Sequence, residues 1–444
     1  MKPLRFIAPI LIAVLITLPG LWARLFQLPL APPVEALIAG AAIFGASFLL
    51  LWACDAAQAD ISQGLALALV ALVAVLPEYA VDMYFTWQAG RDPGSSYAHY
   101  AIANMTGANR LLIGVAWAAI AVIYWVRTRR PVRLGRERKT EIFFLCLATL
   151  YACLIPLKGS LAWYDGLVFL GIYVWYIAVT GRRPVEEAEV EGPAEILTRL
   201  PTGKRRLATG GLFLFAALVI LANAEPFSEG LVRTGEIFHI SKFLLVQWLA
   251  PIASEAPEFT VGIMFALRGQ AGMALGSLLS AKLNQWTLLV GMIPGVYALS
   301  HGSLQHPLPM NAFQMDEILL TAAQSLLGVV ILATLRLSLG QALLLFGLFM
   351  GQLVTPSLDA AFPGQLPFFP EGAPVHRLYA VMYLTAATAL FIDRPHRFRG
   401  SWREVVGRQP GPETVPLGLD GEEDADDEED EEEVRELAVR SRRG

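Results

Sequence analysis

Two glutamates that each follow a proline interrupt long apolar segments of this sequence. Pro77-Glu78 and Pro257-Glu258 lie 180 residues apart, and an aromatic residue, a valine and a phenylalanine follow each pair at the same intervals. A charged side chain at the centre of a bilayer costs ~3 kcal/mol on insertion scales, so such a residue indicates a functional site. A mid-helix proline also leaves a backbone carbonyl free to act as a ligand. The two motifs therefore predict a cation- or proton-binding site shared between two halves of the chain.

Further charged residues accompany these glutamates. Asp82 lies one helical turn after Glu78, and Glu255 lies one turn before Glu258, so each pair can share a helix face. Clustered carboxylates repel one another in a low-dielectric environment, which favours the uptake of a proton or a cation. The alternative is that a base in the following apolar segment pairs with them. The candidate bases, predicted to modulate the charge of the site, are Lys282 and Arg110.

The segments that follow the two Pro-Glu motifs are rich in small, amide and hydroxyl residues. Small residues alone allow helices to approach closely, which is the structural interpretation of this pattern. Amide and hydroxyl oxygens beside two carboxylates also suit a hard cation such as Ca²⁺, which takes ~6–8 oxygen ligands. The supporting candidates for cation binding are Asn104, Asn109, Ser254 and Gln285.

The composition requires that these residues lie in membrane-spanning helices. The chain has 444 residues, of which 55% are hydrophobic and only 16% charged, and its mean hydropathy is +0.51. A soluble chain of this length would need more charge to cover its surface. Twelve apolar runs are long enough to cross ~30 Å of hydrocarbon. They lie near residues 5–24, 33–54, 61–89, 97–126, 140–158, 162–181, 207–224, 239–268, 271–299, 314–335, 339–357 and 375–393.

The basic residues predict the orientation of these spans. Arginines and lysines concentrate in the segments after spans four, six and twelve, which all lie on the side of the N-terminus. The positive-inside rule therefore places both termini in the cytoplasm of a multi-pass protein of the cell membrane. Residues 420–436 hold 13 acidic residues and one arginine, a net charge of −12. The whole chain has a net charge of −5, so the remainder carries +7. This acidic tail is typical of a disordered, solvated segment.

The two Pro-Glu motifs fall in spans three and eight. The span numbers differ by five, and this odd difference means that the two copies have opposite orientations in the membrane. The predicted fold is an all-α membrane protein of about twelve helices, with two inverted five-helix repeats, discontinuous Pro-Glu helices and two flanking helices. The predicted parts are an extra first helix (1–32), a first half (33–181), a cytoplasmic linker (182–206), a second half (207–358), an extra last helix (359–400) and the acidic tail (401–444).

This pattern resembles the two α-repeats of the sodium/calcium exchanger, or cation/Ca²⁺ antiporter, superfamily. The resemblance covers residues ~33–357 and rests on the Pro-Glu motifs, the repeat order and the topology. It implies that Glu78 and Glu258 bind the transported metal ion. The sequence departs from the family pattern, roughly G-T-S-x-P-E and G-N-x-x-G-S-N-I-F-N/D, at Ala74, Val75, Glu255, Ala108, Ala281, Lys282, Leu112 and Gln285.

The resemblance implies a secondary antiporter that exchanges Ca²⁺ or a related cation for H⁺ or Na⁺. Several oxygen ligands of the family's sodium sites are replaced, and Lys282 can stand as a tethered cation near Glu255 or Glu258, so we expect proton coupling. The alternative is a membrane scaffold or sensor that retains the fold without transport. We find no H-E-x-x-H or G-x-x-x-x-G-K-S/T motif, and we predict neither an enzyme nor a bound cofactor. The predicted partners are cations and the lipid bilayer, not nucleic acid.

Overall fold

The computed structural model of this protein describes residues 2–57, 60, 75–180, 192–361 and 375–393, most of them helical. The long helices are numbered in the order in which they occur along the chain. They are α1 (Lys2–Leu25), α2 (Pro32–Ala57), α3 (Leu76–Arg91), α4 (Tyr97–Thr128), α5 (Arg136–Lys158), α6 (Trp163–Thr180), α7 (Thr202–Phe238), α8 (242–267), α9 (271–301), α10 (Ala312–Leu332), α11 (Leu339–Ala361) and α12 (Val375–Asp393). A short helix, Ala194–Thr198, precedes α7.

The predicted all-α membrane fold is confirmed, and each predicted span coincides with one of these helices. Residues 61–74 of the third span lie outside the described residues. Within the described part of the chain, eight helices are long and apolar enough to cross a membrane, namely α1, α2, α4, α5, α6, α7, α10 and α12. The number of twelve crossings stays a prediction. The acidic tail and residues 182–191 of the linker also lie outside the described residues.

Two short β contacts join the two halves of the chain. Strand β1 (Val132–Arg133), between α4 and α5, pairs antiparallel with β2 (Arg336–Leu337), between α10 and α11. An isolated bridge joins Leu161, after α5, to Leu308, before α10. Since α5 runs from β1 to Leu161, the two contacts lie at opposite ends of the bundle. We call the end that holds β1 and β2 the basic end, because the arginine-rich segment after α4 lies there.

An ion pair fixes the start of α7 near the end of α2. Arg205 donates two hydrogen bonds to Asp60, of 2.6 and 2.8 Å, and Arg206 donates a third of 3.2 Å. These hydrogen bonds stabilise the ionised carboxylate and lower the pKa of Asp60 to about 2. Asp60 therefore stays ionised, and the pair stays intact, at every pH at which a cell operates.

Close helix packing at Gly107 positions the central part of α4. A Cβ added there would lie 1.9 Å from the backbone carbonyl oxygen of Gln247 on α8. Backbone cannot move aside as a flexible side chain can, so only glycine permits this approach. The contact sets the distance between two helices that hold candidate site residues.

We expect Gly107→Ala to destabilise the protein strongly because α4 and α8 would have to separate. Overpacking of a tight core costs about 1–3 kcal/mol, and occasionally more. Thermal unfolding of the purified protein in detergent would measure the change. Gly171→Ala on the exposed face of α6 is the matched control, since no atom lies within 4 Å of its added Cβ. Equal melting temperatures for the two variants would contradict this account of Gly107.

The two Pro-Glu motifs differ in their local structure. Pro77 lies in the first turn of α3, where proline is favoured because its missing N–H has no intrahelical partner. Pro257 instead lies inside the continuous helix Ala250–Leu267. The prediction of a discontinuous helix is therefore wrong for the described structure of the second motif. Pro257 removes only the hydrogen bond to the carbonyl of Ala253, and the rest of the helix is intact.

Wide π-helical turns occur at matched positions in the two halves. One turn, Leu112–Trp117, lies within α4, and another, Gln285–Leu289, lies within α9. Their first residues are 173 positions apart, as are Asn109 and Lys282, so α4 and α9 are repeat counterparts. A third π turn, Leu245–Leu249, precedes Ala250 in α8. Such turns often occur at functional sites, and the sequence pattern did not predict them.

Candidate functional site

Glu78 is the most isolated buried carboxylate of the site. It lies in the first turn of α3, where the positive end of the helix dipole favours a negative charge. The residue is 1% exposed, and neither carboxylate oxygen has a hydrogen-bond partner among the described residues. Buried polar groups are nearly always hydrogen-bonded. Glu78 therefore has the properties expected of a group that binds a proton or a cation.

Glu255 on α8 is the buried acidic residue of the second Pro-Glu segment. It is 3% exposed, and its Oε1 accepts a hydrogen bond of 2.9 Å from Gln285 Nε2 on α9. Its Oε2 has no partner within the described part of the chain. Glu78 lies within electrostatic range of Glu255, Glu258, Asp82 and Lys282. The structure therefore brings the predicted acidic residues of both halves together around Glu78.

Glu258 lies one turn further along α8 and is only half-buried. Its Oε2 has no hydrogen-bond partner among the residues described. Cys54 on α2 is within electrostatic range of Glu258 and of Asp55. Glu258 therefore faces α2 as well as the central cluster, which the motif alone did not predict.

Lys282 lies at the centre of the bundle and bonds to its own repeat counterpart. Its ammonium group donates hydrogen bonds of 2.7 Å to Asn109 Oδ1 and 3.3 Å to the backbone carbonyl of Asn109. It also lies 4.5 Å from the centre of the Trp286 ring. Lys282 is fully buried and within electrostatic range of Glu255 and Glu78. It therefore acts on the carboxylates through its charge, while its described hydrogen bonds go to Asn109.

Asp82 and Asn104 form a second polar pair on the same side of α3 and α4. Asn104 Nδ2 donates a hydrogen bond of 2.8 Å to Asp82 Oδ1, and both residues are buried. The second oxygen of Asp82 and the amide oxygen of Asn104 have no partner in the described structure. These two oxygens add acceptors beside Glu78.

Two predicted site residues bond elsewhere. The Ser254 hydroxyl donates to the carbonyls of Ala250 and Pro251 in its own helix. Arg110 forms a buried salt bridge with Glu317 on α10. Arg110 therefore does not neutralise the motif glutamates, and simple ion pairing with this base does not explain them. Sequence reasoning missed Glu317 because no motif or repeat copy distinguishes it.

The site offers a mixed set of oxygen ligands. Among the described residues, no three His, Cys, Asp or Glu side chains converge as a ready metal centre. A divalent cation held by Glu78 and Glu255 would therefore need amide or backbone oxygens to complete its shell. Gln285 and Asp82 lie near enough to the two glutamates to share this role.

Comparison with known proteins identifies the family. The sodium/calcium exchanger family model matches residues 34–181 and 209–357, well over half of the chain. This chain belongs to the sodium/calcium exchanger family. The matched ranges lie within the two predicted halves, 33–181 and 207–358. Members are membrane antiporters rather than catalytic enzymes, so this exchanger is a multi-pass cation antiporter.

Solved and curated relatives agree with this assignment. The exchanger is 42% identical to a crystal structure of an H⁺/Ca²⁺ exchanger, CAX, with a TM-score of 0.82 and coverage of 89% of this chain and 96% of that one. It is 26% identical over 240 residues to a putative antiporter, CaxA, of Alkalimonas amylolytica, which covers 52% of this chain and 70% of the relative. An uncharacterized membrane protein of Methanocaldococcus jannaschii is 24% identical over 248 residues, 55% of this chain and 71% of the relative.

Proposed function

We propose that this exchanger moves Ca²⁺, or a related divalent cation, across the cell membrane in exchange for H⁺. Glu78 and Glu255 are the principal ligands in this proposal, with alternating access to the two sides of the membrane. The supporting observation is a pair of buried carboxylates, one from each inverted repeat, whose free oxygens have no described partner. Such a pair can bind one divalent cation or two protons, which makes the two cargoes mutually exclusive.

Two observations support H⁺ rather than Na⁺ as the counter-ion. The relative with 42% identity is an H⁺/Ca²⁺ exchanger, and it aligns with 89% of this chain. Lys282 also places an ammonium group where the family pattern has an asparagine, and this group is already bonded to Asn109. A fixed positive charge reduces the space and the attraction for additional Na⁺ ions.

Further oxygen ligands and a defined orientation in the membrane are also part of this proposal. Glu258, Asp82, Asn104 and Gln285 supply further oxygen atoms along the path of the ion. Both termini lie in the cytoplasm in this proposal, because the basic loops follow even-numbered helices. The basic end of the bundle then faces the cytoplasm.

Radiolabelled Ca²⁺ uptake into proteoliposomes tests this proposal. We expect an outward H⁺ gradient to drive uptake and an equal Na⁺ gradient to have little effect. The membrane potential is clamped with K⁺ and valinomycin, and a protonophore that collapses the pH gradient should abolish uptake. Uptake driven only by Na⁺ would contradict the proposed counter-ion. No Ca²⁺ uptake by folded protein would contradict the proposed function and favour the scaffold alternative.

A further inference from the structure

A second buried polar cluster lies around Glu317 on α10. This carboxylate is fully buried, and four side chains contact it. Its Oε2 accepts hydrogen bonds from Arg110, from Gln247 Nε2 at 2.6 Å and from the Thr106 hydroxyl at 3.2 Å. Its Oε1 lies 2.8 Å from His376 Nε2 on α12. The cluster thus joins helices of both halves to the last helix, which lies outside the ranges matched by the family model.

A cavity connects this cluster to the end of the bundle opposite the basic end. Its volume is about 490 Å³, and Arg110, Gln247 and His376 form part of its wall. Ser96 and Ser241, which directly precede α4 and α8, also line it, so it lies where these helices begin. The His376 side chain is 18% exposed, whereas Glu317 is 0% exposed. The imidazole therefore lies between the cavity and the buried carboxylate.

The cluster is also linked to the central site. Arg110 directly follows Asn109, the residue that accepts the hydrogen bonds of Lys282. Arg110 lies within electrostatic range of Lys282. When His376 is neutral, Arg110 and Glu317 cancel each other in charge. A proton added to the cluster therefore introduces one positive charge next to Asn109 and Lys282, which lie at the central site.

The other charged and titratable groups near the pair are few. On α4 and α8, His99, Tyr100 and Lys242 line the cavity, and Lys242 is itself paired with Glu236 at 2.5 Å. On α10, the Phe313 ring contacts the His376 ring with centroids 4.9 Å apart. On α12, Tyr383 lies within electrostatic range of Arg110, and Arg377 pairs with Asp316 at 2.7 Å. Gln352 of α11 adds an uncharged amide.

We infer that His376 and Glu317 form a proton-binding site, reached from the cavity, whose protonation weakens cation binding at Glu78 and Glu255. The inference rests on the proposed function. One proton from the aqueous cavity adds to the His376–Glu317 pair and returns to the same solution on release. Histidine is the side chain that ordinarily changes charge between pH 5 and 8. Linkage requires the reciprocal effect, so a bound cation disfavours protonation of the pair.

The test compares Ca²⁺ affinity at pH 6 and pH 8 in the full-length protein, by equilibrium binding of radiolabelled Ca²⁺ in detergent. In the wild type we expect the Ca²⁺ affinity to be lower at pH 6 than at pH 8. Protonation of His376 should account for a factor of at least about 5 in this loss, which is within the usual range of coupling. His376→Gln cannot be protonated and should lose this part of the pH dependence. Its affinity at pH 6 should therefore exceed that of the wild type, with little difference at pH 8.

His301→Gln is the matched control, because His301 lies at the same end of the bundle and contacts Gly90 rather than the cluster. It should retain the wild-type pH ratio. If His376→Gln does not fold, His376→Asn provides the same comparison with a smaller side chain. A pH ratio in either His376 variant equal to that of the wild type would overturn the inference.

A second measurement separates this inference from the proposed function. Imidazole NMR signals of ¹³C-histidine-labelled protein, with His376→Gln used for assignment, report the protonation of His376 without any transport. We expect saturating Ca²⁺ to move this titration to lower pH. A titration that Ca²⁺ does not move, in protein that still shows H⁺-driven Ca²⁺ uptake, would overturn the inference alone. Absent uptake in the wild type would overturn the proposed function, whatever the histidine signal shows.

Discussion

Glu78→Gln and Glu255→Gln are each expected to abolish H⁺-driven Ca²⁺ uptake. Each substitution preserves shape but removes one of two carboxylate charges that face the cation in a low-dielectric site. Coulomb attraction there amounts to several kcal/mol per charge, so we expect affinity to fall at least about 100-fold. Uptake assays and equilibrium Ca²⁺ binding, on protein shown to be folded by size-exclusion chromatography, measure this effect.

The matched control is Glu195→Gln. Glu195 is partly exposed and pairs with the exposed Arg199 on a short helix, and such surface pairs contribute little. Glu258→Gln is expected to weaken uptake less than Glu255→Gln, because Glu258 is only half-buried. A larger loss in Glu258→Gln than in Glu255→Gln would assign the principal role to the residue that the family pattern predicts.

Lys282→Asn is expected to tighten Ca²⁺ binding and to change the counter-ion. A unit charge at ~10 Å and an effective dielectric constant of ~20 contributes about 2 kcal/mol. Removing the ammonium group from beside Glu78 and Glu255 should therefore raise Ca²⁺ affinity by more than about tenfold. The asparagine also supplies an oxygen ligand in place of the fixed cation. An outward Na⁺ gradient should then drive Ca²⁺ uptake that it does not drive in the wild type.

Lys204→Asn, at an exposed position near the start of α7, removes the same charge without touching the site. It should leave affinity and ion dependence unchanged. Unaltered Ca²⁺ affinity in Lys282→Asn would show that Lys282 has only a structural role through its hydrogen bonds to Asn109. Tighter Ca²⁺ binding without Na⁺-driven uptake would show that the charge of Lys282 lowers Ca²⁺ affinity but does not determine the counter-ion.

The fold was largely predictable because the bilayer imposes a simple pattern on sequence. Apolar runs of sufficient length located the helices, and the odd difference between the span numbers of the two Pro-Glu motifs predicted their inversion. The local geometry of the helices was harder to predict from the sequence. Proline at 257 suggested a broken helix, yet the helix continues through it, because a single lost hydrogen bond is tolerated when the surrounding helix is packed. No residue type in these segments signals the π turns.

The residues that form the candidate site were easier to predict from the sequence than the way in which they are arranged. Acidic and amide residues in apolar segments are rare enough to be recognised individually. Their partners depend on which helices meet, and this information is absent from spacing within one helix. The sequence offers Arg110 as a partner of the motif glutamates, whereas in the structure it pairs with Glu317, 207 residues away. Glu317 and His376 became recognisable only when α4, α10 and α12 were placed together.

The hydrogen bond between Lys282 and Asn109 also constrains the history of the chain. These residues are repeat counterparts, and counterparts that touch lie on or near the two-fold axis that relates the halves. In a dimer of two identical half-length chains, the same residue would occupy both positions, so two lysines or two asparagines would face each other. Two buried ammonium groups would repel, and only an asparagine pair would be tolerated. The lysine–asparagine pair could therefore arise only after the ancestral gene had duplicated, when each copy became free to change alone.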